Sequence, residues 1–311
     1  MKLAFVFPGQ GSQAVGMLDS FAGNESVQDA LAIADSALSE KLSGLIHEGP
    51  AEELNLTVNT QPALLTASVA MYNAWLAKGG VRPDVMAGHS LGEYSALTAA
   101  GVFSLHDAVQ LVRFRAKVMQ EAVPVGVGGM AAIIGLADDV VFEVCREASD
   151  FGVVEAVNFN SPGQVVIAGV KEAVQKACEI AKAKGAKRGL MLPVSAPFHS
   201  SLMKPASLAL ASRLEEVSMN APAIDVVANI DVSVHQTPQE IRTALARQAA
   251  GAVQWVKTIE YFKSIGVTHI VECGPGRVLA GLIKRIDSSL QVRNINSAES
   301  LQSVLEEFNN F

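Results

Sequence analysis

Leu3–Phe7 is an unbroken apolar run that Pro8-Gly9 stops. A short run with no polar alternation, ended by turn residues, predicts a strand buried on both faces. Gly9 to Gln13 follow as a loop. Leu65, Val69, Tyr72 and Leu76 then recur at spacings of four, three and four. That period predicts a helix over residues 61–78. Thr60 stands where an N-cap belongs, Pro62 falls where an early helix proline is tolerated, and Gly79-Gly80 ends the pattern. Residues 36–46 also read as helix. Residues 84–88 predict a second buried strand and 91–100 a helix. Ser104 caps a further helix over 104–121, with Leu105, Val109, Val112, Ala116 and Met119 on one stripe.

The pattern changes after Pro124-Val125-Gly126-Val127-Gly128-Gly129, a hinge-like cluster of small and rigid residues. Residues 130–136 predict a strand and 138–148 a helix. Strands over 153–158 and 164–169 flank Asn160-Ser161-Pro162-Gly163, a turn-forming cluster. A helix over 171–184 and a strand over 187–193 complete a β-α-β-β-α-β order, the ferredoxin-like arrangement. Beyond Pro197 the pattern predicts helix 200–216, strand 224–230, helices 238–249 and 254–264, strand 268–272 and helix 277–286. Strands alternating with helices imply an α/β domain whose parallel sheet is covered on both faces. The chain therefore divides into a larger domain, residues 1–125 and 197–311, interrupted by a smaller one, residues 126–196.

Composition narrows the class. Half of the 311 residues are apolar and 18% are charged, which argues against disorder. Aromatics are only 5%, so Ala, Val, Leu and Ile must fill the core. The formal net charge of -7 disfavours nucleic acid as a partner. Mean hydropathy is +0.29, yet no apolar run approaches the roughly 18 residues of a spanning helix. The first apolar run is also too short for a signal peptide core, so a cytoplasmic location with no membrane partner is expected. Cys145, Cys178 and Cys273 are scattered and form no CxxC pair, which excludes a disulfide framework and a cysteine-rich zinc site. The first two fall on apolar helix stripes. No His/Asp/Glu spacing suggests a metal.

Gly88-His89-Ser90-Leu91-Gly92 is the strongest chemical signal. A G-x-S-x-G run between an apolar strand and a helix is a nucleophile elbow, with the serine hydroxyl at a helix N-terminus. A glycine-rich turn with an incidental serine is the plainer alternative, but the strand–motif–helix context weighs against it. Serine needs a base. Of the six histidines, His199 in Pro197-Phe198-His199-Ser200 is the best placed, on a loop just before a helix. Arg113 and Arg115 diverge by about 200° around their helix, so only one of them faces a given cleft. Gly9-x-Gly11-x-x-Ala14 follows a strand as a dinucleotide fingerprint does, but no second strand with a terminal acid comes after it. A loop beside the elbow, with Gln10 supplying an oxyanion N–H, is the better reading.

Four runs in order carry a resemblance. They are Phe7-Pro8-Gly9-Gln10-Gly11-Ser12-Gln13, Gly88-His89-Ser90-Leu91-Gly92-Glu93-Tyr94, Asn158-Phe159-Asn160-Ser161-Pro162-Gly163-Gln164 and Gly274-Pro275-Gly276. Over essentially its whole length the chain resembles the malonyl-CoA:acyl carrier protein transacylases of bacterial type II fatty-acid synthesis. The resemblance implies an α/β-hydrolase-like domain with an inserted ferredoxin-like subdomain. It implies Ser90 as the nucleophile that becomes malonylated and His199 as its base, oriented by the backbone carbonyl of Gln248. It implies Arg115 as the grip on the malonyl carboxylate and the N–H groups of Gln10 and Leu91 as the oxyanion hole. Asn160 and Asn229 would line the site, and Phe198 would crowd a substrate α-methyl.

The implied reaction is ping-pong, from malonyl-CoA through malonyl-serine to the phosphopantetheine thiol of acyl carrier protein. Both thioesters are substrates, and no cofactor is implied. Ala249-Ala250-Gly251-Ala252 departs from the bulkier residues usual in the family. An acidic carrier protein meeting an acidic enzyme requires a local basic patch, for which Lys182, Lys184, Lys187, Arg188, Lys284 and Arg285 are candidates. The same motifs would serve a transacylase of a polyketide synthase or a malonate decarboxylase. A serine thioester hydrolase would share the elbow and base without a carboxylate grip.

Overall fold

The computed structural model describes residues 2–194 and 196–308. Nine strands lie among them: β1 (Leu3–Phe7), β2 (Val85–Gly88), β3 (Gly128–Ile134), β4 (Val154–Ser161), β5 (Gln164–Val170), β6 (Arg188–Met191), β7 (Asp225–Val227), β8 (His269–Cys273) and β9 (Gln291–Ile295). One sheet has the order β7-β2-β1-β8-β9 and is parallel throughout. The other has the order β4-β5-β3-β6 and is antiparallel throughout.

The apolar run at the start of the chain is buried on both faces of the parallel sheet. Leu3, Phe5 and Phe7 join one core, while Ala4 and Val6 join a second core on the opposite side. A third core fills the antiparallel sheet's helix-covered face. There Ala131, Ile133, Val165 and Ile167 meet the stripes of helices Asp138–Ala148 and Lys171–Ala183. Cys145 is buried in that core and Cys178 packs against it. The small unit is stitched to the large one by main chain. The Phe159 N–H donates to Val253 O at 3.0 Å, and the Val253 N–H donates to Val157 O at 2.8 Å.

Several boundaries differ from the sequence expectation. The helix expected from residue 61 begins at Thr57, with Leu56 as its N-cap and Pro62 inside it. Thr60 is not the cap: its hydroxyl donates to Leu54 O at 2.6 Å. Residues 36–46 are not one helix. Glu25–Leu38 and Leu42–Glu48 are separated at Ser39, which takes the left-handed conformation at φ 53°. Ser104 does cap Leu105–Glu121, accepting from the Asp107 N–H at 3.0 Å. The sequence reading placed neither β9, whose run has no regular alternation, nor the helix Ala298–Phe308, although Leu301, Val304, Leu305 and Phe308 recur on one helical face. No helix among the described residues is long and apolar enough to cross a membrane.

Candidate active site

β2 runs into the helix Leu91–Ala99 through Ser90, whose backbone sits at φ 53°, ψ −106°. An L-residue rarely adopts a positive φ, and here the strain turns the hydroxyl out of the sheet. Two glycines make the turn possible. A Cβ on Gly88 would stand 1.9 Å from the Gly92 carbonyl, and one on Gly92 would stand 2.0 Å from Phe7 O. A Cβ on Gly9 would stand 2.6 Å from His89 O, so the Gly9 loop packs on the elbow as the sequence suggested.

Ser90 Oγ lies 2.7 Å from His199 Nε2, and His199 Nδ1 lies 2.9 Å from Gln248 O. A carbonyl only accepts, so Nδ1 carries the proton and Nε2 is left as the acceptor facing the serine hydroxyl. Burial, reinforced by the Arg115 charge, pushes the His199 pKa down to about 3. The ring is therefore neutral at pH 7. Its backbone is also left-handed, at φ 67°.

Arg115 and Arg113 divide as the helix geometry required. Arg113 pairs with Glu40 at the surface, whereas Arg115 is 1% exposed. The Arg115 guanidinium donates to Gln61 Oε1 at 2.7 Å, Gln248 Oε1 at 3.0 Å and Ser90 Oγ at 3.1 Å, and it stacks 5.2 Å from the Tyr94 ring centroid. Its hydrogen-bonding neighbours are all uncharged. Among the described residues the cation thus stands one hydrogen bond from the serine with no carboxylate bonded to it, and Glu93 acts on it only through space.

Gln248 touches three of these groups. Its carbonyl meets His199, its Oε1 meets Arg115, and its Nε2 donates to Ser90 O at 2.9 Å. The same Nε2 donates to Glu93 Oε2 at 2.8 Å. Asn229 is fully buried behind the elbow rather than facing the cleft. Its Oδ1 accepts from the Ser90 N–H at 2.7 Å and its Nδ2 donates to Gly88 O at 2.7 Å. Asn160 is likewise set back and meets His89 Nε2 at 2.8 Å. Gly251, in the unusual 249–252 stretch, has Ile230 Cδ1 2.2 Å from where a Cβ would be, so that turn is tight for a packing reason.

A cavity of about 120 Å³ holds the Ser90 hydroxyl, lined also by Arg115, His199, Met119, Met130 and Phe198. Gln10, Leu192, Val194 and Phe198 also line a larger groove of about 610 Å³, so the two spaces adjoin. The Gln10 side chain accepts from Thr57 Oγ1 at 2.9 Å and from Gln61 Nε2 at 3.2 Å. Leu91 is fully buried and begins its helix, so its N–H belongs to the turn that lacks intrahelical partners.

The sequence reading missed Gln61, Glu93 and Asn158. Glu93 entered only as part of the elbow run, and nothing local marks it as buried. His89, next to the serine in sequence, also lines the cleft.

The basic patch is less free than its sequence suggested. Lys184 pairs with Glu143 and Glu147 from the neighbouring helix, so acids do face residues 181–188. Lys284 donates to Leu290 O. Arg285 donates to Gln164 Oε1 at 2.8 Å, and Lys187 and Arg285 line one surface groove.

The whole chain, and not the site alone, resembles known proteins. A family model described as an acyl transferase domain matches residues 4–306. The chain is 55% identical over 306 residues to the malonyl CoA-acyl carrier protein transacylase of Escherichia coli (strain K12), covering 98% of this chain and 99% of that protein. It is 42% identical over 312 residues to the protein of that name from Bacillus subtilis (strain 168), covering 98% and 96%. It superposes with a TM-score of 0.97 on the acyl-carrier-protein S-malonyltransferase of Burkholderia pseudomallei 1710b, at 60% identity over 98% of this chain and 100% of that one. It also superposes at 0.97 on a malonyl-transacylase solved in complex with its type II PKS acyl-carrier protein, at 50% identity over 99% and 100%. With the family model covering nearly all of its length, the chain belongs to the acyl transferase family.

Proposed function

We propose that the protein transfers malonyl from malonyl-CoA to the phosphopantetheine thiol of acyl carrier protein, supplying fatty-acid elongation. One observation carries the substrate choice. The buried Arg115 guanidinium lies 3.1 Å from Ser90 Oγ with only uncharged bonding partners. An acyl group bound to this serine needs a carboxylate a few ångströms beyond its carbonyl, and malonyl has one. Arginine grips it through two parallel hydrogen bonds, whereas acetyl would leave the cation buried and unpaired.

In this reading Ser90 attacks the thioester carbonyl as His199 Nε2 takes the hydroxyl proton. The tetrahedral oxyanion faces the Leu91 and Gln10 N–H groups. Leu91 fits this role because the Ser90 N–H is already engaged by Asn229 Oδ1. The C–S bond breaks, His199 returns the proton to the coenzyme A sulfur, and malonyl-serine remains. The carrier thiol then gives its proton to His199 and attacks the ester, and Ser90 recovers a proton as the new thioester leaves. Phe198 narrows the cavity against an α-methyl. Asn160 acts at one remove, through His89. Coenzyme A and phosphopantetheine thioesters are substrates, and the sequence of steps calls for no metal or cofactor.

The same reading takes residues 1–125 and 197–311 as an α/β-hydrolase-like catalytic domain and 126–196 as a ferredoxin-like subdomain. The strand order of the antiparallel sheet supports the latter. It places the enzyme in the cytoplasm and docks the acidic carrier protein near Lys187 and Arg285. The test is malonyl transfer from coenzyme A to a panel of fatty-acid and polyketide carrier proteins, with mass spectrometry of the enzyme between half-reactions. Wild type should gain one malonyl group and Ser90→Ala none. Release of free malonate without any carrier protein would make the enzyme a hydrolase instead.

A further inference from the structure

Ser90 is strained, and neither of its main-chain groups is held by the strand it leaves. Its N–H donates to Asn229 Oδ1 at 2.7 Å, and its carbonyl accepts from Gln248 Nε2 at 2.9 Å. Both holding residues are tied to one atom. Glu93 Oε2 accepts from the Asn229 N–H at 2.9 Å and from Gln248 Nε2 at 2.8 Å. Glu93 itself is 2% exposed and stands three residues beyond the serine, in the first turn of the helix that the elbow starts. Gln248 further places its carbonyl on His199 and its Oε1 on Arg115.

We propose that Glu93 is a positioning residue that holds the strained Ser90 elbow in its reactive geometry, through Gln248 on the serine's carbonyl side and Asn229 on its N–H side. The inference rests on Ser90 being the nucleophile.

An ionised carboxylate suits this task. It accepts only, so it fixes which end of the Gln248 amide faces it, and its charge makes both bonds about twice as strong as neutral ones. Protonation places a hydrogen on one oxygen and weakens that hold. Burial pushes the Glu93 pKa up to about 7, against the pull of its hydrogen bonds and of Arg115, with Asp231 adding to the rise. Burial moves the histidines and Tyr94 of the elbow away from neutrality. His199 stays neutral down to about 3, Tyr94 is pushed up to about 12, and burial lowers His89. A guanidinium keeps its charge at these pH values even though burial lowers Arg115. The elbow therefore tightens as pH rises through neutrality, and the acid limb of catalysis belongs to Glu93 rather than to the histidine.

The test compares wild type, Glu93→Gln and Glu93→Asp over pH 5.5–8.5 with two readouts. One is kcat and KM for malonyl transfer. The other is the rate at which phenylmethylsulfonyl fluoride labels Ser90, which requires no malonyl chemistry. Wild type should show an acid limb near neutrality in both kcat and labelling. Glu93→Gln should lower kcat by about 10²-fold, the scale of a small misplacement of reacting groups, with KM within threefold and no limb in either readout. Glu93→Asp should regain the limb. Circular dichroism at each pH corrects for the folded fraction. A limb that persists in Glu93→Gln, or a loss of kcat matched by loss of folded protein, would overturn the proposal. Labelling that shows the limb in an enzyme that fails to transfer malonyl would refute the substrate reading and leave this one standing.

Discussion

Replacing Arg115 with alanine separates a carboxylate clamp from every other role of that side chain. In the free enzyme the guanidinium donates to Gln61 Oε1, Gln248 Oε1 and Ser90 Oγ. Losing those bonds affects malonyl and acetyl substrates alike, so the ratio of their kcat/KM values cancels that part. What remains is the grip on the substrate carboxylate. A hydrogen bond to a charged group contributes about 1.5–3 kcal/mol, so two of them give about 3–6 kcal/mol. At about 1.4 kcal/mol per tenfold, the malonyl-to-acetyl ratio should fall by about 10²–10⁴. Arg115→Lys should fall between the two, because an ammonium lacks the planar fork. The assay is single-turnover acylation of Ser90 by malonyl-CoA and acetyl-CoA, followed by mass spectrometry. Equal losses for both substrates would refute the clamp and leave Arg115 as a structural cation.

His199→Ala should lower kcat for malonyl transfer by about 10²–10⁴, the usual contribution of a general base, and a loss under tenfold would argue for another base. Folded His199 resists protonation down to about 3, whereas the unfolded ring takes a proton near 6.5. Stability therefore falls as pH drops through that window. Glu93, raised from 4.5 to about 7, works in the opposite direction in its upper part, so the comparison is between variants. His199→Gln should lose thermal stability less steeply than wild type between pH 6.5 and 3, and parallel curves would count against a buried neutral ring. Gly92→Ala sets a Cβ 2.0 Å from Phe7 O and should cost about 1–3 kcal/mol or more in urea unfolding. A change within about 0.5 kcal/mol would show that the elbow has slack.

The parts of this fold that could be read from sequence are those in which one local pattern has one structural meaning. The Leu3–Phe7 run, the Ser104 cap and the glycines around Ser90 each behave as their local chemistry requires. Residues 36–46 were misread because a left-handed Ser39 breaks the chain into two helices there, and Thr60 because the start of its helix is not marked. Helix Thr57–Ala77 is buried nearly all round, so its apolar pattern does not mark where it begins. The site divides in the same way. Ser90 announces itself through a motif and His199 stands out as the best placed of six histidines, while the choice of Arg115 over Arg113 and the role of Gln248 needed the family resemblance. Glu93, Gln61 and Asn229 act through partners 54 to 155 residues away, and no local pattern encodes such a meeting.

The pair of main-chain hydrogen bonds at Val253 has a mechanical meaning. They fasten the small sheet to the large unit at Val157 and Phe159, beside Asn158, whose side chain lines the serine cavity. The Ser201 N–H on Glu155 and Arg285 on Gln164 bridge the same boundary, so the floor of the cavity is held from both units. Leu192, Val194 and Phe198 border both the cavity and the outer groove. A ligand entering through the outer groove thus meets an acyl pocket whose floor both units fix in shape.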